Sequence, residues 1–385
     1  MSHLTYGEAG IVGLIQGVTE LFPLSSLGHS VLIPAIVGGQ WAKDLNVSAK
    51  DSPYLAFIVG LHVATAIAMI IYFWRDWVRI IVAFFASLGH VARPAPGTRR
   101  WEPQGTDQAL AWMLIVATIP VGIAGALLQH LFTHVFSKPV LVAGFLFVNG
   151  LILLGGERLR RRGADTEAQQ AAADLERATE RQRAAVAAGN GAARDVGARD
   201  VGARDGAAGD GGAGDGGAGR RGAGHRGVVS SGGRHSSGQR AVKQQQASMA
   251  VESDERLVSV GFRGGLILGS MQIFALLPGI SRDGIVMVSG MFRGLSRQDA
   301  ARFSFLLSAP VIFAAGIFKL HDLTGPLGDG IRTQVLIGSV LSGIGAYVAL
   351  RFLVRYLSDA SRTLTPFAIY CLAAGLGSAI YLTVR

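Results

Sequence analysis

Six apolar stretches, each about as long as a lipid bilayer is thick, constrain this chain more than any other feature. A helix needs about 20 mostly apolar residues to cross the hydrocarbon core of a membrane. Runs of this kind lie at 54–74, 108–131, 138–156, 303–320, 332–354 and 364–383. Half of all residues are hydrophobic and only 16% are charged, even though a long polar segment dilutes the average. The sequence therefore predicts an all-α polytopic membrane protein with six transmembrane helices.

Two further apolar stretches, 8–37 and 259–295, are interrupted by glycine, proline and polar residues. The segment GLIQGVTELF from Gly13 aligns with GLILGSMQIF from Gly265, and each copy precedes three predicted spans. Three crossings between the copies would turn the second one upside down. Inverted repeats of this kind bring broken helices together near the bilayer midplane, where irregular backbone can line a cavity. We therefore expect two re-entrant helical hairpins in inverted-topology repeats.

The segment 157–257 separates the two copies and has a different composition. It is rich in Ala, Gly, Arg and Asp and poor in large apolar residues, so it lacks the buried surface that would offset its ordering entropy. We predict a first repeat over 1–156, a disordered linker over 157–257 and a second repeat over 258–385. Acidic and basic residues nearly cancel in the linker, which argues against a nucleic-acid-binding tail.

The distribution of lysine and arginine predicts the orientation, because cytoplasmic loops are enriched in both. The first, third and fifth spans are each followed by arginines, and the opposite loops carry fewer basic residues. The linker and the second hairpin would then lie on the cytoplasmic side, with both termini and the first hairpin outside. The segment WRDWVRIIVAFFASLGH is too short to span comfortably, and we expect it to be an interfacial amphipathic helix. The arginines counted as cytoplasmic are Arg75, Arg79, Arg93, Arg99, Arg100, Arg158, Arg160, Arg161, Arg162, Arg355 and Arg362.

The first interrupted stretch contains a carboxylate at membrane depth. Gln16 and Glu20 are four residues apart and share one face of a helix. A carboxylate at the centre of a bilayer costs about 2.5–3.5 kcal/mol on insertion scales, so it is usually paired or functional. We interpret Glu20 as a functional residue and Gln16 as a supporting one.

Polar residues that suit a catalytic site follow directly. Ser25 and Ser26 suit the N-cap of a second half-helix, and contact with a phosphate is an equally good interpretation. His29 lies one helical turn beyond Ser26 and is a candidate acid, base or nucleophile. His62, in GLHVATA, is interpreted as a polar residue that faces the bundle interior. The single cysteine, Cys371, excludes an intramolecular disulfide and a cysteine-based metal site.

The second interrupted stretch, LLPGISRDGIVMVSG, predicts an anion site. Gly279 permits a close approach of backbone, Ser281 can cap a helix, and Arg282 presents a planar fork of donors that matches phosphate oxygens. A helix N-terminus beside a permanently charged arginine favours phosphate or diphosphate. Asp283 either orients Arg282 or helps to hold a metal ion.

The stretches QGVTELFPLSSLGH and PGISRDG together resemble the two motifs of the undecaprenyl-diphosphate phosphatases, bacterial membrane enzymes associated with bacitracin resistance. The resemblance covers the chain apart from the linker. It implies hydrolysis of a C55 polyprenyl diphosphate to the monophosphate and inorganic phosphate, which recycles the lipid carrier of cell-wall synthesis. It also implies the bacterial plasma membrane, with the active cavity facing the outer or periplasmic side.

The same resemblance assigns roles. Glu20, Ser26, His29 and Arg282 fall at catalytic positions, and Glu20 would act through a divalent cation, Mg²⁺ or alternatively Ca²⁺. His29 would be the nucleophile or the general base for water, and the sequence does not separate these roles. The positions that would bind phosphate are Ser25, Gly279, Ser281 and Arg282.

The chain departs from the family at three positions that usually carry a hydroxyl group, Leu27, Asp283 and Val286. A membrane transporter or polyprenyl-phosphate flippase is the alternative function, because inverted repeats with broken helices are typical of transporters. Release of inorganic phosphate separates the two. A homodimer is left open.

Overall fold

The computed structural model describes residues 4–45, 53–92, 103–136, 138–163, 177, 251–324 and 330–384. These residues form α-helices and one 3₁₀ turn, and none of them lies in a β-strand. The described residues of Met1–Arg160 and Ser248–Arg385 belong to one compact unit. Most of the linker predicted over 157–257 lies outside the described residues, so its disorder stays a prediction.

The helices follow the order of the apolar stretches. The first half contains α1 (Tyr6–Leu21), α2 (Ser26–Val37), α3 (Gly39–Asp44), α4 (Pro53–Tyr72), α5 (Trp74–Ala92), α6 (Thr106–Phe136) and α7 (Pro139–Gly163). The second half contains α8 (Val251–Ser259), α9 (Gly261–Met271), a 3₁₀ turn (Gln272–Leu276), α10 (Arg282–Phe292), α11 (Arg297–Thr324), α12 (Arg332–Ser358) and α13 (Thr365–Val384).

Several of these helices are compatible with a polytopic membrane protein. Within the described parts of the chain, α6, α7, α11, α12 and α13 are each long and apolar enough to cross a membrane. The remaining predicted span, 54–74, corresponds to α4, which meets α5 at a bend of 85°. A similar bend of 88° separates α8 from α9 and the 3₁₀ turn. The 85° bend is the geometry expected if α5 lies along the membrane surface.

Both interrupted stretches form two short helical arms joined by a break. The twelve residues of α2 extend about 18 Å, less than the roughly 30 Å of a bilayer core. α2 packs back against α1, so this stretch folds on itself. In the second stretch, the 3₁₀ turn ends at Leu276 and α10 begins at Arg282. Local sequence explains the breaks, because Pro23 and Pro278 each follow a half-helix that they cannot continue.

Glycines allow the first arm of each stretch to cross a long helix from the other half of the chain. α1 packs against α12, and α9 packs against α6. A Cβ atom on Gly17 would lie 2.1 Å from the carbonyl oxygen of Ser342, and one on Gly269 would lie 1.9 Å from that of Ala117. Gly17 and Gly269 are aligned in the sequence repeat. The two copies therefore make equivalent close crossings in opposite halves.

Residues at both ends of the predicted linker form ion pairs with the folded part of the chain. α7 continues to Gly163 and α8 begins at Val251, so the folded part extends into both ends of 157–257. Glu157 is buried and forms an ion pair with Arg297. Asp254, also buried, lies 2.5 Å from Arg79 and 2.6 Å from Arg302. Composition alone assigned these residues to the linker, because a window of sequence does not show that a charged residue has a partner elsewhere in the chain.

Candidate active site

The breaks of the two interrupted stretches touch each other. Ser25 has φ 65° and ψ 93°, and it is the only non-glycine residue with positive φ in the described segments. Its Oγ accepts hydrogen bonds from the amides of Gly28 at 3.3 Å and Gly279 at 3.1 Å. Gly279 has φ +111°, and a Cβ there would lie 2.6 Å from the carbonyl oxygen of Val142. Backbone strain of this kind is typical of functional sites.

Glu20 lies at the centre of a cluster of polar side chains between the two breaks. Its Oε1 is paired with Nη2 of Arg282, from the second break. Its Oε2 accepts hydrogen bonds from Ser26 Oγ and from Gln16 Nε2, the latter at 2.9 Å. His62 Nε2 lies 3.4 Å from the same oxygen. The side chain of Glu20 is only 3% exposed, so these four partners replace the solvation that a buried carboxylate loses.

His62 is a member of this cluster that sequence reasoning did not place beside Glu20. Its Nδ1 lies 2.8 Å from the carbonyl oxygen of Ile58, and a carbonyl oxygen only accepts, so Nδ1 carries a proton. Its Nε2 faces Gln16 Nε2 at 3.1 Å as well as Glu20. The expectation that His62 faces the bundle interior did not include a carboxylate partner. The signal in the sequence was a titratable side chain within an otherwise apolar span.

His29 is held in one tautomer by contacts with Ser25 and Tyr370. Its Nδ1 donates to the carbonyl oxygen of Ser25 at 2.8 Å, which leaves Nε2 as the acceptor nitrogen of the neutral ring. The hydroxyl of Tyr370 lies 2.7 Å from Nε2, and the two rings stack with centroids 5.7 Å apart. Tyr370 belongs to α13 and was not anticipated, since 341 positions separate it from His29. An unprotonated, oriented imidazole nitrogen suits a base or a nucleophile.

Two further predicted site residues, Ser281 and Asp283, lie at the start of α10. Ser281 caps the helix, with its Oγ accepting from the amide of Gly284 at 3.1 Å, and its own amide donates to Asn149 Oδ1 at 3.0 Å. Asp283 is buried and accepts hydrogen bonds at 2.7 Å from both Ser304 and Ser308 of α11. Its hydrogen bonds therefore go to α11, and none of those seen involves Arg282. Neither predicted role of Asp283 has support in these contacts.

Arg282 retains a free donor. Its Nε is buried and has no hydrogen-bond partner among the described residues, whereas Nη2 is engaged by Glu20. An unsatisfied buried donor costs about 1–3 kcal/mol unless something accepts from it. The side chain as a whole is 20% exposed, whereas Nε itself is buried. The arrangement suits a phosphate oxygen, which accepts well from the planar fork of arginine.

A metal ion at Glu20 would need ligands beyond the described side chains around it. No group of three or more His, Cys, Asp or Glu side chains that could hold an ion occurs in the parts of the chain that the structure describes. Both oxygens of Glu20 are engaged by protein donors. Mg²⁺ is commonly bound by one or two carboxylates together with substrate phosphates. Glu20 fits a cation of that kind only in combination with oxygens of a bound substrate.

Comparisons with known proteins identify the family of the chain. A family model described as bacitracin resistance protein BacA matches residues 9–186 and 239–377. An undecaprenyl-diphosphatase of Mycolicibacterium paratuberculosis (strain ATCC BAA-968 / K-10) is 46% identical over 384 residues, covering 100% of this chain and 99% of the relative. Undecaprenyl-diphosphatase 2 of Frankia alni is 44% identical over 380 residues, with 97% of each covered. The chain belongs to the bacitracin resistance protein BacA family.

Proposed function

We propose that this protein is an undecaprenyl-diphosphatase, which hydrolyses undecaprenyl diphosphate to undecaprenyl phosphate and inorganic phosphate. The names of the full-length relatives support this substrate. The observation that carries the proposal is the free, buried Nε donor of Arg282 beside the helix-capping Ser281. The product would return to cell-wall synthesis as a lipid carrier, and this recycling would confer resistance to bacitracin.

The terminal phosphate would bind where the two breaks meet. Arg282 would hold its oxygens, and the amides at the N-terminus of α10 would add positive potential. Charge develops on the transferred phosphoryl group and the leaving oxygen, and pre-oriented donors stabilise it. Glu20 would keep the guanidinium in place through their ion pair. Ser25 and Gly279 would fix the distance between the breaks through their hydrogen bond.

The reaction breaks the bond between the terminal phosphorus and the bridging oxygen. The leaving group is undecaprenyl phosphate, and an oxygen from water ends on inorganic phosphate. His29 Nε2 would either take a proton from that water or attack phosphorus first, in which case water cleaves the phosphohistidine. Either step requires Nε2 to exchange its hydrogen bond with Tyr370 for one with the reactants. Glu20 would contribute to holding a divalent cation only if its Oε2 gave up the hydrogen bonds from Ser26 and Gln16 while Oε1 kept Arg282, and such a cation would supply neutralisation of phosphate charge.

An apolar groove supports a lipid substrate. It lies between α4 and α12, has a volume of about 460 Å³ and is lined by residues such as Ala64, Ile67, Val340 and Ile344. Ala64 is two residues beyond His62 on α4, so the groove lies on a different face of that helix from the polar cluster. Part of a prenyl tail would bury apolar surface in this groove.

For the architecture, we propose six transmembrane helices and two re-entrant hairpins in inverted-topology repeats. The equivalent glycine crossings of α1 on α12 and α9 on α6 support the repeat. The arginine distribution supports a cavity open to the outer or periplasmic side of the bacterial plasma membrane, with the linker in the cytoplasm. A homodimer also stays a proposal, which light scattering of the purified protein would measure.

Release of inorganic phosphate by the purified full-length protein tests the function. Polyprenyl diphosphate in detergent should yield one phosphate per monophosphate formed, and EDTA should reduce the rate if a cation enters with the substrate. Transport of polyprenyl phosphate across a vesicle membrane without hydrolysis would instead support the flippase alternative.

A further inference from the structure

One amide side chain joins both breaks to a third helix. Asn149 lies in the apolar helix α7 and is completely buried. Its Nδ2 donates to the carbonyl oxygen of Pro23 at 2.9 Å, and its Oδ1 accepts from the amide of Ser281 at 3.0 Å. Nδ2 also lies 3.3 Å from Sγ of Cys371. Both polar ends of the amide are thus occupied by groups from separate parts of the chain.

The two main partners are the backbone of the breaks themselves. Pro23 lies between α1 and α2, and Ser281 is the N-cap of α10. The carbonyl oxygen of Pro23 lies outside both helices, and the amide of an N-cap residue precedes the helical hydrogen bonds, so neither group is satisfied by regular structure. Asn149 supplies a donor to one and an acceptor to the other, and Sγ of Cys371 also lies 3.8 Å from the Pro23 oxygen. Leucine of similar size would satisfy neither.

The hydrogen bonds of Asn149 lie close in the chain to the ion pair between Glu20 and Arg282. Glu20 is three residues before Pro23, and Arg282 directly follows Ser281. The two side chains come from segments that share no local structure, so their relative position depends on contacts between the breaks. The bond from Gly279 to Ser25 is one such contact, and the Asn149 amide is a second one, made from α7.

We propose that Asn149 is a positioning residue. Its amide fixes the position of the two breaks relative to each other, and this places Arg282 against Glu20 and the terminal phosphate. The inference rests on the proposed phosphatase function. A buried asparagine can also be a satisfied core residue with no effect on chemistry. The two roles differ in kinetics, since misplacing a catalytic group lowers kcat and leaves the binding of the lipid tail unchanged.

The test uses Asn149→Leu in the full-length protein, with phosphate release from polyprenyl diphosphate as the measurement. We expect kcat to fall by about tenfold, with KM within about twofold of wild type, because small misplacements cost rate in this way. The matched control is Ser87→Ala, which removes a hydrogen bond at 3.0 Å between α5 and α6, away from the breaks. It should leave kcat unchanged.

A double variant distinguishes a positioning role of Asn149 from a role in folding. In Arg282→Ala, the added Asn149→Leu substitution should lower kcat by less than about twofold, because the group it positions is gone. An equal tenfold loss in both backgrounds would overturn the proposal. So would an unchanged kcat in Asn149→Leu, or a failure of both Asn149→Leu and Asn149→Ala to give monodisperse protein, which would make the role structural. Inactive wild-type protein would instead reject the phosphatase function itself.

Discussion

Glu20 and Arg282, 262 positions apart in the chain, form an ion pair where the two breaks meet. The pair leaves Nε of Arg282 with no acceptor among the described residues. Buried polar groups are nearly always hydrogen-bonded, so the buried Nε needs an acceptor that the described residues do not supply. The free donor is why we place the phosphate at Arg282, and it makes the geometry of the guanidinium testable.

Substitution of Arg282 by lysine should not restore the activity lost in Arg282→Ala. Lysine keeps the charge but presents a point donor in place of a planar fork. Both variants should lower kcat by about two to three orders of magnitude, the usual scale for losing one electrostatic stabiliser. Glu20→Gln should show a comparable loss, because it keeps the shape and removes the charge. Phosphate release measures all three.

The control for these variants is Arg263→Lys, since Arg263 is an exposed arginine in the first turn of α9. Its kcat should match wild type. Near-normal turnover in Arg282→Lys would mean that Arg282 is a structural counter-ion and that the phosphate binds elsewhere.

His29 and Tyr370 should differ strongly in their effects. His29→Ala removes the oriented Nε2 and should lower kcat by about two to four orders of magnitude, the range for a general base. Tyr370→Phe keeps the stacked ring and removes only the hydroxyl, so the loss should stay below about tenfold. Phosphate bound covalently to alkali-denatured wild-type protein, stable in alkali and lost in acid, would identify His29 as the nucleophile, and its absence would favour a base. Equal losses in the two variants would show that Tyr370 takes part in the chemistry.

The boundaries of the linker predict opposite results for two deletions. Removal of 165–250 keeps α7 and α8 intact, and hydrolysis should stay within about tenfold of wild type because a disordered segment contributes little folding energy. Removal of 157–257 also deletes Glu157, the ion-pair partner of the buried Arg297, and Asp254, one of the carboxylates that pair with Arg79 and Arg302. Breaking a buried pair costs about 3–5 kcal/mol, so the longer deletion should give little folded protein. Monodisperse yield and specific activity measure both, and equal behaviour of the two would contradict the boundaries at 163 and 251.

Labelling with a membrane-impermeant thiol reagent tests the orientation. In a Cys371→Ala background, Lys43→Cys should react in intact cells, whereas Ala207→Cys in the linker should react only after lysis. The reason is the concentration of arginine after the first, third and fifth predicted spans. The reverse pattern would place the cavity on the cytoplasmic side.

Much of the local structure could be predicted from the sequence. Apolar length identified α6, α7, α11, α12 and α13, because a helix in a bilayer satisfies its backbone internally and needs only apolar side chains outside. Prolines and serines marked the breaks, since both act through the adjacent backbone. Motif spacing predicted Glu20 and Arg282 as site residues, and the structure brings the two side chains together. The charged ends of the linker were misassigned, because composition averages over residues whose partners are far away.

Tertiary structure decided which of those residues meet. His62 reaches Glu20 from α4, Tyr370 reaches His29 from α13, and Asn149 spans both breaks from α7. Each of these contacts joins helices that are distant in the chain, and such pairing leaves no periodic pattern in either helix. The close crossings at Gly17 and Gly269 set the depth at which the hairpin arms pack. Sequence therefore determined the helices and the chemistry available to them, whereas packing between distant helices determined which donors face which acceptors.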